Sequence, residues 1–163
     1  MKLSTLAFVA TLLVVSPASP QERAAESTPA IVGVWKFNVE KSTMRIPPDA
    51  VEIRQYSMRP DGYLVGLLIT GMPQAYHTLQ FVAKSDGKDY PEYSDQNVAD
   101  MVAAGKPTSR TYAERMIDEY TTEWIDRVDG SVAAQGKKIV SKDRKTLTIT
   151  VDGSPAIRVY DRQ

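Results

Sequence analysis

Cysteine is absent from the 163-residue sequence, and histidine occurs once, at His77. Without cysteine the chain cannot form a disulfide framework, use a thiol as nucleophile, bind zinc through thiolates or carry a lipidated cysteine anchor. A single histidine likewise leaves too few ligands for a Cys/His metal site. We therefore expect no metal and no cofactor, and a fold that is held together by a hydrophobic core.

An excess of charge of either sign is also missing. The 20 Lys and Arg residues balance the 20 Asp and Glu residues, so the formal net charge at pH 7 is zero. Nucleic acids and anionic membranes attract proteins through a basic field, and this chain has none overall. The composition therefore argues against a nucleic acid partner, and the length suits one domain.

A long apolar run is missing too, although a short one lies near the start. Lys2 precedes a predominantly apolar run over residues 6–15, and small residues around Ala18 follow it. A membrane span requires roughly 20 apolar residues, whereas about ten suit the core of a secretory signal. We predict that residues 1–18 are a signal peptide cleaved near Ala18, so that the mature protein is secreted or periplasmic without a stable membrane anchor.

The remaining sequence divides into a leader and one β-rich domain. Residues 19–30 are polar without an apolar period, and we expect them to form a flexible leader. Over residues 31–163, short β-branched and aromatic runs alternate with turn residues, a pattern typical of strands. Nine strands are predicted, near 31–38, 50–58, 63–70, 75–84, 108–116, 120–127, 131–140, 146–151 and 156–161.

Turn chemistry and alternation predict how these strands are arranged. Asp-Gly pairs suit the tight turns between antiparallel neighbours. They occur at Asp61-Gly62, Asp86-Gly87, Asp129-Gly130 and Asp152-Gly153. Alternation such as Leu147, Ile149 and Val151 against intervening threonines buries one face of each strand. Closure hides that face and removes the edges, so we predict an all-β, antiparallel up-and-down meander closed into a barrel of eight to nine strands. A two-sheet sandwich is the alternative.

One segment, about residues 95–104, has the pattern of a short helix. Ser94 or Asp95 can cap its start, and Gly105 can end it in a left-handed conformation. Its apolar stripe consists of Val98, Met101 and Val102. Such a stripe suits a lid over the barrel mouth and a buttress against the barrel wall equally, and we favour the buttress.

The first predicted strand contains Gly33-Val34-Trp35, the Gly-x-Trp signature of lipocalin-like (calycin) β-barrels. Over residues 31–163 the chain also resembles a group of small secreted bacterial lipocalin-like proteins. The stretches that carry this resemblance are 35–42, 86–91, 141–148 and 159–163. The resemblance implies a barrel that binds a small molecule, in which Trp35 closes one end and Gly33 permits a close backbone approach.

The same resemblance implies an arginine that stacks on the closing tryptophan. Arg158 is the best positional match and Arg162 the second, so Gly33, Trp35 and Arg158 are assigned to barrel closure. The chain departs from the classical lipocalin pattern because it has no disulfide and no evident long helix after the last strand.

Large side chains on inward faces would line a pocket if the barrel is hollow. The candidate pocket residues are Trp35, Phe37, His77, Phe81, Trp124 and Ile149. His77 shares a face with Leu79 and Phe81, where its imidazole could orient a ligand or, as in some calycin relatives, ligate haem. The commoner role is structural, half-buried with one hydrogen-bond partner. The same aromatic side chains could equally fill a barrel of about eight strands completely.

The sequence offers no catalytic set. Four acidic residues alternate with threonine and arginine in a pattern typical of a solvated face. They are Asp118, Glu119, Glu123 and Asp126. No motif combines a nucleophile, a base and an orienting group, so we name no catalytic residue.

Three functions follow from these observations. The first is an exported barrel that binds a small apolar or amphipathic ligand without catalysis, which rests partly on fold analogy. The second is a filled barrel that serves as a structural or protein-interaction module of the cell envelope, with an exposed apolar patch. The third, a calycin-type isomerase or hydrolase, would require a buried acid/base pair facing a cavity. A continuous cavity of a few hundred Å³ lined by Trp35, Phe81 and Trp124 would favour ligand binding over the filled barrel.

Overall fold

A computed structural model describes residues 28–106 and 109–163, so the predicted signal peptide and leader residues 19–27 lie outside the described residues. Within the described ranges the chain forms ten strands and one helix. Their bounds are β1 Gly33–Phe37, β2 Val51–Met58, β3 Leu64–Met72, β4 Ala75–Ala83, β5 Asp86–Ser94, α1 Asp95–Ala104, β6 Arg110–Met116, β7 Thr121–Val128, β8 Ser131–Val140, β9 Thr146–Val151 and β10 Ile157–Arg162. No helix in the described part of the chain is long and apolar enough to cross a membrane.

The strands form one closed antiparallel barrel. Each strand pairs with its neighbour in sequence, and β1 closes the circle by pairing with both β2 and β10. Trp35 is the register partner of Arg54 on β2 and of Arg162 on β10. The predicted up-and-down barrel with one mid-chain helix is therefore confirmed, and the sandwich alternative is wrong.

Two of the backbone ladders in this barrel are short. β4 pairs with β5 through Leu79–Ser94, Gln80–Tyr93 and Phe81–Glu92. β1 pairs with β10 through three residue pairs as well, from Trp35–Arg162 to Phe37–Tyr160. These two ladders separate the strands β1–β4 from the strands β5–β10.

The tenth strand, β5, was not predicted from the sequence. Its residues, DGKDYPEYS, are mostly polar and include Pro91, which is unfavourable inside a strand. The Asp86-Gly87 pair that predicted a turn stands at the first residues of this strand, and Gly87 has a φ of 78°. Pairing with β6 through Asp89, Tyr90 and Pro91 completes a strand that composition alone conceals.

The β7–β8 connection shows why Asp-Gly predicts a hairpin. Asp129 and Gly130 have φ values of 50° and 76°, so both central residues of the turn are left-handed. This is the backbone of a two-residue type I′ turn, whose twist matches that of paired strands. Val128 and Ser131 form the pair that this turn closes.

The two ends of the barrel differ in what covers them. Residues 28–32 lie at the end where β1 begins, which we call the Trp35 end, and Ala30 and Ile31 are buried there. The opposite end holds α1, in the connection between β5 and β6, and we call it the α1 end. The helix contacts β4 and β5. The N-terminal turn therefore covers one end of the barrel, and α1 lies beside the other.

The bounds of α1 follow from its caps. Ser94 accepts a hydrogen bond from the Asn97 backbone N–H while the Asn97 side chain accepts one from the Ser94 N–H, which is a reciprocal capping box. Gly105 ends the helix with a φ of 62°. Val98 and Val102 are 41 % and 81 % exposed, so the predicted apolar stripe is largely left uncovered.

Candidate ligand-binding cavity

The barrel encloses a cavity of about 360 Å³, to which every strand from β2 to β10 contributes at least one side chain. This volume lies within the range of small-molecule sites in proteins. Eight of the lining residues are apolar or aromatic: Leu68, Leu79, Phe81, Tyr112, Trp124, Ala134, Ile149 and Val151. The interior is thus partly hollow, which favours the ligand-binding hypothesis over the filled barrel.

One glycine makes room for the aromatic part of the wall. A Cβ on Gly66 would collide with the ring of Phe81. The Phe81 ring stacks on Tyr112, with ring centroids 3.8 Å apart and planes 20° from parallel. Gly66 on β3 therefore lets Phe81 lie against the wall beneath Tyr112.

Charged side chains also line the cavity, namely Arg54, Glu92, Asp126, Lys138 and Arg158. Charges buried in a protein are stable only when they are paired and hydrogen-bonded. The partners of these five side chains therefore decide which of them are available to a ligand.

The Lys138 ammonium is hydrogen-bonded and ion-paired within a buried polar cluster. Its ammonium lies 3.2 Å from Glu114 Oε2 and donates to the Tyr112 hydroxyl as well. The Tyr112 hydroxyl donates to Glu114 at 2.6 Å, and Ser85 donates to the other carboxylate oxygen at 2.7 Å. Burial raises the pKa of Glu114, but Lys138 and these hydrogen bonds outweigh it and hold that pKa below its ordinary value.

Arg54 belongs to a second buried cluster. Its Nε donates to the Tyr160 hydroxyl at 2.9 Å, and its Nη2 lies 3.2 Å from Glu52 Oε1. The Tyr160 hydroxyl in turn donates to Glu52. Arg54 therefore has its charge balanced within the wall.

Two carboxyl groups meet on the β5–β7 side of the cavity. Glu92 is buried and accepts a hydrogen bond from Arg110 Nε at 2.7 Å. Asp126 lies close to Glu92, and the two carboxyl groups interact electrostatically. Burial and the charge of Glu92 raise the pKa of Asp126 to about 7, although Lys138 and Arg110 oppose the shift. Asp126 is therefore about half protonated at pH 7.

This raised pKa predicts a dependence of stability on pH. The folded protein retains the Asp126 proton up to about pH 7, whereas an unfolded aspartate loses it near pH 4. The folded state therefore binds more protons in this interval, and the free energy of unfolding contributed by Asp126 falls as the pH rises from 4 to 7. Asp126→Asn has no proton to lose, so its free energy of unfolding should not fall in this way. The difference between the variant and the wild type is expected to grow from pH 4 to pH 7 to a few kcal/mol at most, at about 1.4 kcal/mol per pKa unit.

Urea denaturation at several pH values measures this effect. Asp49→Asn is the matched control because Asp49 is exposed in the β1–β2 connection. A constant difference between Asp126→Asn and the wild type from pH 4 to pH 7 would contradict the assignment.

Arg158 differs from the other cationic residues of the wall. Its side chain lines the cavity from β10 and forms no hydrogen bond or ion pair with any residue that the structure describes. In the order of the strands around the barrel, β10 lies opposite β5. The unpaired guanidinium therefore lies on a different part of the wall from the carboxyl pair, five strands from Glu92 and three from Asp126.

The structure distributes the predicted pocket residues between the cavity and other places. Phe81, Trp124 and Ile149 line the cavity, and their role in binding stays a prediction. Phe37 is placed elsewhere: it packs edge-on against the buried Tyr160, with ring centroids 5.6 Å apart. Trp35 is fully buried at its own end of the barrel.

The arginine that stacks on Trp35 is Arg162, which corrects the assignment of Arg158. The Arg162 guanidinium carbon lies 4.1 Å from the Trp35 ring centroid. The guanidinium also donates to the carbonyl oxygens of Val32 and Ala30, each at 2.7 Å. A Cβ on Gly33 would collide with this guanidinium, so the glycine of the Gly-x-Trp motif makes room for it.

His77 lies at the rim of the barrel, which corrects its assignment to the pocket. Its side chain is 66 % exposed, and its Nδ1 lies 2.9 Å from Asp95 Oδ2. The same carboxylate accepts a hydrogen bond from the Thr78 backbone N–H. Alternation correctly places His77 on the same face of β4 as Phe81. The first residues of β4 are exposed, however, and His77 is one of them, so its side chain lies outside the enclosed part of the barrel. These contacts attach the first turn of α1 to β4.

The prediction of a solvated face is wrong for Asp126 alone among the four acidic residues. Glu123 faces outward to Arg115 at 2.6 Å, and Glu119 is 58 % exposed beside Arg144. Asp126 stands two residues after Trp124, so the two must share a face of β7. The inward assignment of Trp124 was the signal that could have placed Asp126 in the cavity.

The fold is similar to that of the fluorescent protein UnaG. The wild-type crystal structure aligns with a TM-score of 0.51 at 13 % identity, covering 82 % of this chain and 97 % of that chain. Two mutants of the same protein align with TM-scores of 0.52. At this identity the likeness shows the fold alone. No protein-family model matches the sequence, and no curated protein does so either.

Proposed function

We propose that this protein binds a small amphipathic molecule inside its barrel without transforming it. The observation that carries the proposal is the cavity of about 360 Å³, in which an apolar wall surrounds the uncommitted guanidinium of Arg158. Binding sites combine a mostly apolar lining with a few polar groups that orient the ligand. An apolar molecule with an acidic group complements this arrangement.

The proposal includes export. The signal-like sequence of residues 1–18 supports release into the periplasm or the medium, where the barrel would carry or sequester its ligand. The Gly33-x-Trp35 motif and the barrel fold support a relationship to small secreted bacterial lipocalin-like proteins. Cleavage near Ala18 predicts a mature N-terminus that mass spectrometry of the exported protein can identify.

A pair of matched variants tests whether ligands enter the cavity. Ala134 lines the cavity, whereas the neighbouring Ala133 is exposed on the outer face of β8. Ala134→Phe is expected to fill the space and weaken binding of a fluorescent amphipathic anion such as anilinonaphthalene sulfonate at least about tenfold, which corresponds to about 1.4 kcal/mol. Ala133→Phe should bind like the wild type in the same fluorescence titration.

Two results would contradict the proposal. One is equal affinity of Ala134→Phe and Ala133→Phe, which would place the probe outside the barrel. The other is the absence of saturable binding to the wild type, together with native mass spectra of protein from its own host that show no bound small molecule.

A proton-transfer enzyme is a second candidate because of the Glu92–Asp126 pair. This pair faces the cavity, and a pKa of about 7 suits a general acid or base at neutral pH. A ligand recovered chemically unchanged after prolonged incubation supports binding. An isomerised ligand, or one that has exchanged carbon-bound hydrogen for deuterium in heavy water, supports the enzyme.

A further inference from the structure

The cavity has two separate sets of polar groups, and only one of them is explained by an acidic ligand. Arg158 on β10 can bind an anion, whereas the carboxyl groups of Asp126 on β7 and Glu92 on β5 offer no charge that attracts one. The carboxyl pair therefore requires a different kind of group on the ligand.

The environment of Asp126 defines what that group can be. Glu92 of β5 lies beside it, Arg110 of β6 is paired with Glu92, and Lys138 of β8 is paired with Glu114. The nearby Tyr112 hydroxyl donates to Glu114 as well. With Arg110 paired to Glu92 and Asp126 partly protonated near pH 7, this part of the wall carries little net charge and offers oxygen acceptors.

Trp124 supplies an independent observation on the same strand. It is 8 % exposed and lines the cavity, and its indole N–H has no acceptor among the residues that the structure describes. Buried donors of this kind are rare without a partner. Trp124 and Asp126 are two residues apart on the inward face of β7, so a donor and an acceptor occur side by side.

We propose that Asp126, Glu92 and Trp124 form a second polar subsite, which takes a ligand hydroxyl on a part of the wall separate from the anionic group at Arg158. A hydroxyl can donate to the carboxyl pair and accept from the indole N–H at the same time. The ligand is then a bipolar molecule, with an acidic group and a hydroxyl separated by an apolar body. This inference rests on the proposed binding function.

Fatty acids with and without a terminal hydroxyl test the proposed subsite separately from the proposed binding function. Calorimetric titration with octanoate, decanoate and dodecanoate, and with their ω-hydroxy forms, gives a hydroxyl preference at each chain length. The wild type is expected to prefer the hydroxy acid about 3- to 10-fold at the best-fitting length, as one well-made hydrogen bond allows. Asp126→Leu should reverse this preference, because the hydroxyl is then buried against an apolar side chain.

Three variants complete the design. Trp124→Phe removes the indole N–H and keeps an aromatic ring, so it should lower the hydroxyl preference and retain affinity for the plain acid. Asp126→Asn offers an amide in place of the carboxyl group, should also lower the preference, and remains informative if Asp126→Leu does not fold. Glu123→Leu removes a carboxylate from the outer face of the same strand and should keep the preference of the wild type.

The outcomes are distinguishable. Plain and hydroxy acids that bind the wild type equally at every length would overturn the subsite and leave the binding function intact. A preference that persists in both Asp126 variants would also overturn it. If neither acid series nor the fluorescent anion binds, the proposed function itself fails, and the subsite fails with it.

Discussion

Replacing Trp35 by alanine is expected to lower the free energy of unfolding by about 3–5 kcal/mol, as for other large buried aromatic residues. Trp35 is 0 % exposed, and its indole N–H donates to the Ile31 carbonyl oxygen at 2.8 Å. Alanine would leave a cavity and an unsatisfied carbonyl, and Arg162 would lose the ring on which it stacks. Chemical denaturation followed by circular dichroism measures the change.

The neighbouring residue provides the control. Val34 is 36 % exposed on the outer face of β1, so Val34→Ala should change stability by no more than about 0.5–1 kcal/mol. Trp35→Phe fills most of the space and should fall between the two. A loss below about 1 kcal/mol for Trp35→Ala would mean that residues 28–32 and Arg162 close this end without the ring.

Lys138→Met is expected to have a similarly large effect, about 3–5 kcal/mol, because it leaves the buried Glu114 without its counter-charge. The Lys138 and Glu114 side chains are 3 % and 2 % exposed. The ammonium also lies 4.7–5.2 Å from three ring centroids, those of Tyr56, Phe81 and Tyr112. Urea denaturation of the variant at pH 7 tests this expectation.

A double-mutant cycle distinguishes a lost ion pair from lost packing. Glu114→Gln combined with Lys138→Met removes both charges, so the double variant should be more stable than the sum of the single losses predicts. The exposed pair Lys41–Asp161 is the comparison, and Lys41→Met should cost less than about 1 kcal/mol. Strict additivity within the Lys138–Glu114 cycle would show that the two charges act independently.

The barrel could be predicted from the sequence because its evidence is local. Asp129-Gly130 selects a tight turn, and the alternation of Leu147, Ile149 and Val151 selects a half-buried strand. β5 was missed because its pairing with β4 and β6 depends on tertiary context and not on its own composition. From its composition alone, a segment that contains Pro91 and several charged residues is predicted to be a loop.

The charged part of the cavity was harder to predict. Lys137 and Lys138 are adjacent lysines on one strand, and only the register with Trp124 makes the second one face inward. Arg158 and Arg162 are four residues apart on β10, so both side chains lie on its inward face. Their different positions along the barrel axis place Arg158 in the cavity and Arg162 at the closed end. Alternation gives the face of a side chain, whereas depth along the barrel requires the closed structure.

The two short ladders described above divide the wall into two curved halves, β1–β4 and β5–β10. Parting either of these ladders breaks few backbone hydrogen bonds, whereas parting β3 from β4 would disrupt a ladder that runs from Leu64–Ala83 to Met72–Ala75. These two ladders would therefore open at the lowest cost in backbone hydrogen bonds. An opening there would widen the interior for a ligand larger than the present cavity admits.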